Sequence, residues 1–207
     1  MIKSILVLLL LAATNLMAQE PVQKTTYDTL LERVKKSDQT VDFKELRMVY
    51  TGTAKYNPYG GDREKRKSMF EALNTEQFDK ALADASAILD SNYLDLNAHF
   101  VALVSNRELG NANKAAYHRF VFTGLLDSIK NSGDGKTPET AFVVISTDEE
   151  YVLFNFMELR VQDQSLIKEK GHNFDRMTAL DPKNNETVVY YFNIDKPFGW
   201  LGKSLKN

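Results

Sequence analysis

Gly133-Asp134-Gly135-Lys136-Thr137-Pro138, leading into Ala141-Phe142-Val143-Val144-Ile145, separates two kinds of sequence. Ahead of it, apolar residues recur at steps of three and four; behind it, short runs rich in β-branched and aromatic residues alternate with turn signals. Glycine and proline at this density stop a helix arriving from the N-terminal side, and the run 141–145 restarts the chain as a buried strand. The fold class that follows is α+β: a helical layer over about residues 22–130, packed with an α/β part over about 138–200 that carries an antiparallel β-sheet.

Upstream, Tyr27, Leu30, Leu31 and Val34 share one helical face, and Lys35 and Lys36 suit the negative end of that helix's dipole. Asp42 with Glu45 three residues on has the form of a capping box, so a second helix starts there with Phe43, Leu46 and Tyr50 on its apolar side. Asn57-Pro58 and Gly60-Gly61 mark residues 51–61 as a turn. The clearest periodicity is the stripe Phe78, Ala81, Leu82, Ala85, Ile88 and Leu89, followed by Leu96, Phe100 and Leu103. Leu109-Gly110-Asn111 supplies a glycine C-cap, and a further helix runs through Ala115, Ala116, Phe120 and Leu125.

Ala81 and Ala115 stand 34 residues apart, and Phe78, Ala85, Asn97-Ala98, Phe100, Ala102 and Leu109-Gly110 fall between or beside them. On these residues the helical part resembles a tetratricopeptide-like helix pair, covering about one and a half units. Arrays of that kind need roughly three units to bury a continuous core, so the helices must pack on something else. The C-terminal third supplies it. Residues 147–159 read as a helix, and 164–170, 174–180 and 187–194 as strands, the last two joined by the turn Asp181-Pro182-Lys183-Asn184-Asn185.

The N-terminus reads as an export signal. Lys3 precedes the apolar run 5–13, which breaks at Thr14-Asn15 before Leu16-Met17-Ala18. That stretch is too short for a permanent membrane span and has the form of a cleaved leader, residues 1–18, with the mature chain beginning at Gln19 after Ala18. Removing 18 of 207 residues leaves 189, one mature domain over 19–207. No later apolar run has membrane length, so no integral segment remains after cleavage, and the expected location is the periplasm or the exterior. A net charge of −2 over the whole chain does not supply the dense positive surface that nucleic acid requires. The absence of cysteine excludes disulfides, thiolate metal ligands, a cysteine nucleophile and a lipid-bearing cysteine.

Taken whole, Asp42-Phe43, Tyr56-Asn57-Pro58-Tyr59-Gly60, Gly133-Asp134-Gly135-Lys136-Thr137-Pro138, Glu149-Glu150-Tyr151, Gln164-Ser165-Leu166 and Tyr191-Phe192-Asn193-Ile194 resemble a family of exported bacterial proteins, domain of unknown function 4919. The resemblance implies a shared fold and export. It carries no catalytic residues.

Several groups of residues invite a chemical reading. Gly133 to Thr137 imitates a phosphate loop, but Lys130 stands where that motif needs glycine and Pro138 where it needs a helix, which leaves a tight linker. Asp148, Glu149 and Glu150 could serve acid/base chemistry; Thr147 and Glu150 also have capping-box spacing, and acids favour a first helical turn. His99, His118 and His172 form no sequence motif for metal, and no metal or other cofactor is implied. Arg63, Lys65, Arg66 and Lys67, diluted by Asp62 and Glu64, read as a solvated helix face. Tyr56, Asn57, Pro58, Tyr59 and Gly60 are the named binding candidates: their rings either present flat faces to a sugar or peptide, or fold back to anchor the turn. The functional expectation is a non-enzymatic envelope module that binds an unidentified protein or ligand. The alternative is a small envelope hydrolase pairing Glu149 or Glu150 with a histidine.

Overall fold

The computed structural model describes residues 26–205. The leader and its cleavage position at Ala18 and Gln19 therefore lie outside the described residues. Helices α1 (Thr26–Lys35), α2 (Phe43–Tyr50), α3 (Arg63–Asn74), α4 (Phe78–Ser91), α5 (Leu96–Glu108) and α6 (Ala112–Lys130) come first. Strand β1 (Phe142–Val143), helix α7 (Thr147–Phe156), strands β2 (Arg160–Glu169), β3 (His172–Asp181) and β4 (Glu186–Asn193), and helix α8 (Asp195–Ser204) follow. This is the expected α+β order, helices and then strands.

The strands form one sheet in the order β1-β4-β3-β2. Its three long strands are antiparallel, and two-residue β1 joins β4 in parallel, pairing Phe142 with Phe192. The run 141–145 is β-branched and buried but too brief to ladder along its whole length. The preceding turn holds β1 in place. Thr140 O accepts from both Asp134 N (3.0 Å) and Gly135 N (2.8 Å), and Gly135 O accepts from Tyr191 N of β4 at 2.8 Å. Gly135 has φ +68°, and a Cβ there would lie 2.5 Å from the Phe142 ring, so only glycine fits this crossing. The linker thus locks helix to sheet.

Two hydrophobic clusters result. The smaller, with Met69, Ala72, Ala81, Ala85, Ile88, Ala98 and Val101, fills the space between α3, α4 and α5. Within the stripe, Ala85 is fully buried and Ala115 buried, whereas Leu82 and Leu103 are only half-buried. The larger cluster unites both halves: Leu30, Leu46, Leu125 and Ile129 from the helices meet Phe142, Phe154, Met177 and Phe192 from the α/β part. Phe154 of α7 packs 5.5 Å from Phe192 and 5.9 Å from Tyr190, ring centre to ring centre. Fully burying each such side chain contributes roughly 1.5 to 3 kcal/mol, so this seam is a main source of cohesion between the halves.

A buried ion pair crosses the same seam. Arg47 of α2 donates from Nε (3.1 Å) and Nη2 (2.5 Å) to the Glu149 carboxylate of α7, and also reaches Ser128 Oγ at 3.2 Å and Val143 O at 2.9 Å. Glu149 accepts in addition from Ile145 N at 2.8 Å. One guanidinium therefore ties α2, α6, β1 and α7 together.

Candidate functional site

The turn over residues 51–61 borders a cleft of about 450 Å³. Its position follows from Tyr56. That ring is 6% exposed, packs edge-on against Tyr50 at 5.6 Å, and donates its hydroxyl to Ile145 O at 2.7 Å. Tyr56 therefore pins the turn to the strand segment ahead of α7. Asn57, Pro58, Gly60 and Gly61 then form one wall, while α3, the end of α4, residues 94–97 and the start of α7 form the others.

The floor is apolar, with Ile88, Leu94, Ile145 and Val152, and the rim is polar. Arg66 dominates that rim. Its Nη2 lies 2.7 Å from Asp95 Oδ2 and 3.2 Å from Asp148 Oδ2, so one guanidinium links α3, α5 and α7 across the cleft. Asp95 also caps α5 by accepting from Ala98 N at 2.9 Å. Of the basic run expected to be a solvated face, Arg63 and Lys67 are exposed, but Lys65 and Arg66 turn toward the cleft. Asn92, Asn97 and Ser146 add amide and hydroxyl groups to the lining, and Ser146 makes no side-chain cap to α7. Such a surface can bind a small polar solute by hydrogen bonds over an apolar base.

The five residues of the binding candidate divide. Asn57, Pro58 and Gly60 line the cleft; Tyr56 is an anchor whose ring also touches its edge; Tyr59 turns the other way, 42% exposed and 6.1 Å from the Trp200 ring of α8. Tyr56 folds back as an anchor, whereas the Tyr59 ring stays exposed beside Trp200.

The acidic cluster lies in the first turn of α7, as its charge favours, but of its three members only Asp148 is exposed. Ser146 is the N-cap, Thr147 is already helical, and no Thr147–Glu150 capping box forms. Glu149 and Glu150 are both buried, because they lie in helical phase with Val152, Leu153 and Phe154. Glu149 is occupied by Arg47. Glu150 is 0% exposed, and neither oxygen meets an N–H or O–H donor among the described residues. Burial, and then the neighbouring Asp175 of β3, push its pKa up to about 9. Asp175, likewise raised by burial, stands in the core-facing phase of Met177 and Ala179. With Glu150 protonated, its O–H donates to the Asp175 carboxylate.

The histidines lie elsewhere. His99 and His118 meet on α5 and α6, Nδ1 to Nδ1 at 3.0 Å, a contact invisible in a sequence separation of 19. His99 Nε2 faces Tyr93 O at 2.9 Å and must carry the proton, since a carbonyl only accepts. His118 Nδ1–H is then the donor to the bare His99 Nδ1. Burial lowers the His99 pKa to about 3 and shifts His118 in the same direction, so both rings favour the neutral form. His172 pairs with Asp195 at 2.6 Å. No histidine is among the partners of Glu149 or Glu150, and among the described residues no three His, Cys, Asp or Glu side chains are grouped to hold a metal ion.

Neither a curated protein nor a solved structure matches the chain. A family model does, over residues 18–200, nearly the whole of the chain including the cleft, both arginine bridges and the sheet. The chain belongs to the family described as domain of unknown function (DUF4919).

Proposed function

We propose that this protein is an exported, non-catalytic binding module of the bacterial cell envelope, and that the cleft beneath residues 57–61 receives a small polar ligand, a sugar or a short peptide. One observation carries the reading: a cleft of about 450 Å³ has an apolar floor and a rim of amides and charges, held open by Tyr56 and Arg66. That volume lies within the roughly 300 to 1,000 Å³ typical of ligand sites. Lys55, Lys65 and Arg66 oppose Asp62, Asp95 and Asp148 around it, which favours a neutral or zwitterionic solute over a strongly charged one. The leader-like residues 1–18 support export, and among the described residues no helix is long and apolar enough to cross a membrane. The hydrolase alternative requires a carboxylate beside an imidazole, and no observation favours it.

The test is a thermal-shift panel of the mature protein against N,N′-diacetylchitobiose, maltose and alanyl dipeptides, run beside Asn97→Ala. A saturable rise in Tm with one class, lost in the variant, is the expected result. Turnover of any of these compounds, or stabilisation unaffected by Asn97→Ala, would overturn it.

A further inference from the structure

The cleft has a neighbour. Beyond Tyr50, Lys55 and Ser91, which line both, lies a smaller pocket of about 170 Å³. Tyr50 is buried and its hydroxyl donates to Lys55 O at 3.2 Å, which fixes the divide between the two hollows. Lys55 and Ser91 are exposed, so that divide is a rim open to solvent, and an extended solute can cross it. The smaller pocket has its own chemistry. Tyr27 and Leu89, both buried, and Leu31 give it an apolar base drawn from α1 and α4. Its charged groups are Lys35, Lys55 and Asp90, and among the described residues none of the three is in an ion pair. Lys35 ends α1, and its ammonium lies 5.1 Å from the centre of the Tyr93 ring, which also lines the pocket and holds that charge beside it.

Charge is distributed unevenly along the two hollows. In the cleft, Lys55 aside and with Glu149 spent on Arg47, the carboxylates of Asp62, Asp95 and Asp148 outnumber the cations of Lys65 and Arg66. In the smaller pocket the lysines outnumber the single carboxylate of Asp90. Between these ends, Asn57, Asn92 and Asn97 line the cleft, and each side-chain amide offers both the N–H donors and the C=O acceptor that a peptide group complements. We infer that the ligand is an extended peptide whose C-terminal residue occupies the smaller pocket, its side chain on Tyr27, Leu31 and Leu89 and its free carboxylate between Lys35 and Lys55. The inference rests on the cleft being the binding site, and it adds the class of ligand and the direction in which it lies, C-terminus toward α1 and amino end toward Asp62 and Asp148. A neutral saccharide can fill the cleft but brings no charge to the two lysines.

Isothermal titration calorimetry of the mature protein tests it with Ala-Ala-Leu, the same peptide as its C-terminal amide, and N,N′-diacetylchitobiose, at neutral pH and low salt. The free acid should bind about tenfold more tightly than the amide, the effect of removing a hydrogen-bonded charge, and added potassium chloride should narrow the gap. Lys35 is exposed and does not line the cleft, so Lys35→Met leaves fold and cleft intact and should abolish most of the preference for the acid. Asn97→Ala should weaken acid and amide alike. Equal affinity for acid and amide, or a preference unchanged in Lys35→Met, would overturn the inference; if Asn97→Ala still weakened both peptides, the cleft would stand as a binding site without it. No binding of either peptide would also overturn it, and the saccharide then decides separately whether the cleft receives a ligand.

Discussion

Replacing Glu150 with glutamine should stabilise the protein, and by an amount that depends on pH. The folded pKa is raised to about 9 by burial and by Asp175, against an ordinary 4.5. Between those two values the folded chain binds a proton that the unfolded chain has released, so stability falls as pH rises, by about 1.4 kcal/mol per unit. Glutamine has no such proton and can still donate to Asp175 through its amide. The variant's advantage should therefore be below about 1 kcal/mol at pH 5 and grow by about 2.5 kcal/mol by pH 7. His99 titrates in the opposite sense, but it is present in both chains and makes no contact with Glu150, so it cancels from the difference. Urea unfolding of both chains at pH 5, 6, 7 and 8 measures it. A difference that is constant across pH, or that shrinks as pH rises, would refute the assignment of a neutral Glu150.

Arg47→Ala leaves Glu149 charged and buried without its partner, and should cost about 3 to 5 kcal/mol in urea unfolding; a loss under about 1 would show that the pair does not bind the halves together. Tyr56→Ala should cost on the order of 3 kcal/mol and Tyr59→Ala less than about 1, and equal losses by denaturant titration would contradict the division between anchor and exposed ring. The His99 ring, with its pKa lowered to about 3, should stay neutral down to pH 5 in NMR titrations, so acid stability is lost as pH falls below the unfolded value of 6.5; a midpoint above 5 would be inconsistent with its burial. Mass spectrometry of the mature protein should find Gln19 at its N-terminus, and a dominant form retaining Met1 would remove the basis for export.

Local signals in the sequence locate most elements. Asp42 does cap α2, accepting from Glu45 N at 3.0 Å, and the stripe through Ala81, Ala85, Ile88 and Leu89 is the buried face of α4. The three long strands fall within a few residues of their expected limits. What escaped was set by distant partners. Glu149 looks like a dipole acid until Arg47, 102 residues away, is placed beside it. The parallel pairing of β1 with β4 is likewise non-local, and α8, with glycines at 199 and 202, has too little apolar repetition to announce itself. A usable signal did exist for the acid pair. Asp175 shares the two-residue phase of Met177 and Ala179, and Glu150 the helical phase of Leu153 and Phe154, a pattern that assigns both to core positions but that the capping-box reading of Thr147 and Glu150 leaves unused. The cleft was legible only as its turn; its opposite wall comes from α3, α4 and α7, whose meeting no local motif records.

Amide chemical-shift mapping of the isotope-labelled mature protein tests the binding account most directly. Titrated with the saccharides and dipeptides of the thermal-shift panel, one of them should perturb a contiguous set at residues 57–61, 91–97 and 146–148, the lining of the cleft. Shifts confined to other surfaces, or none with any of these compounds, would contradict the claim that this cleft is where the protein meets its ligand.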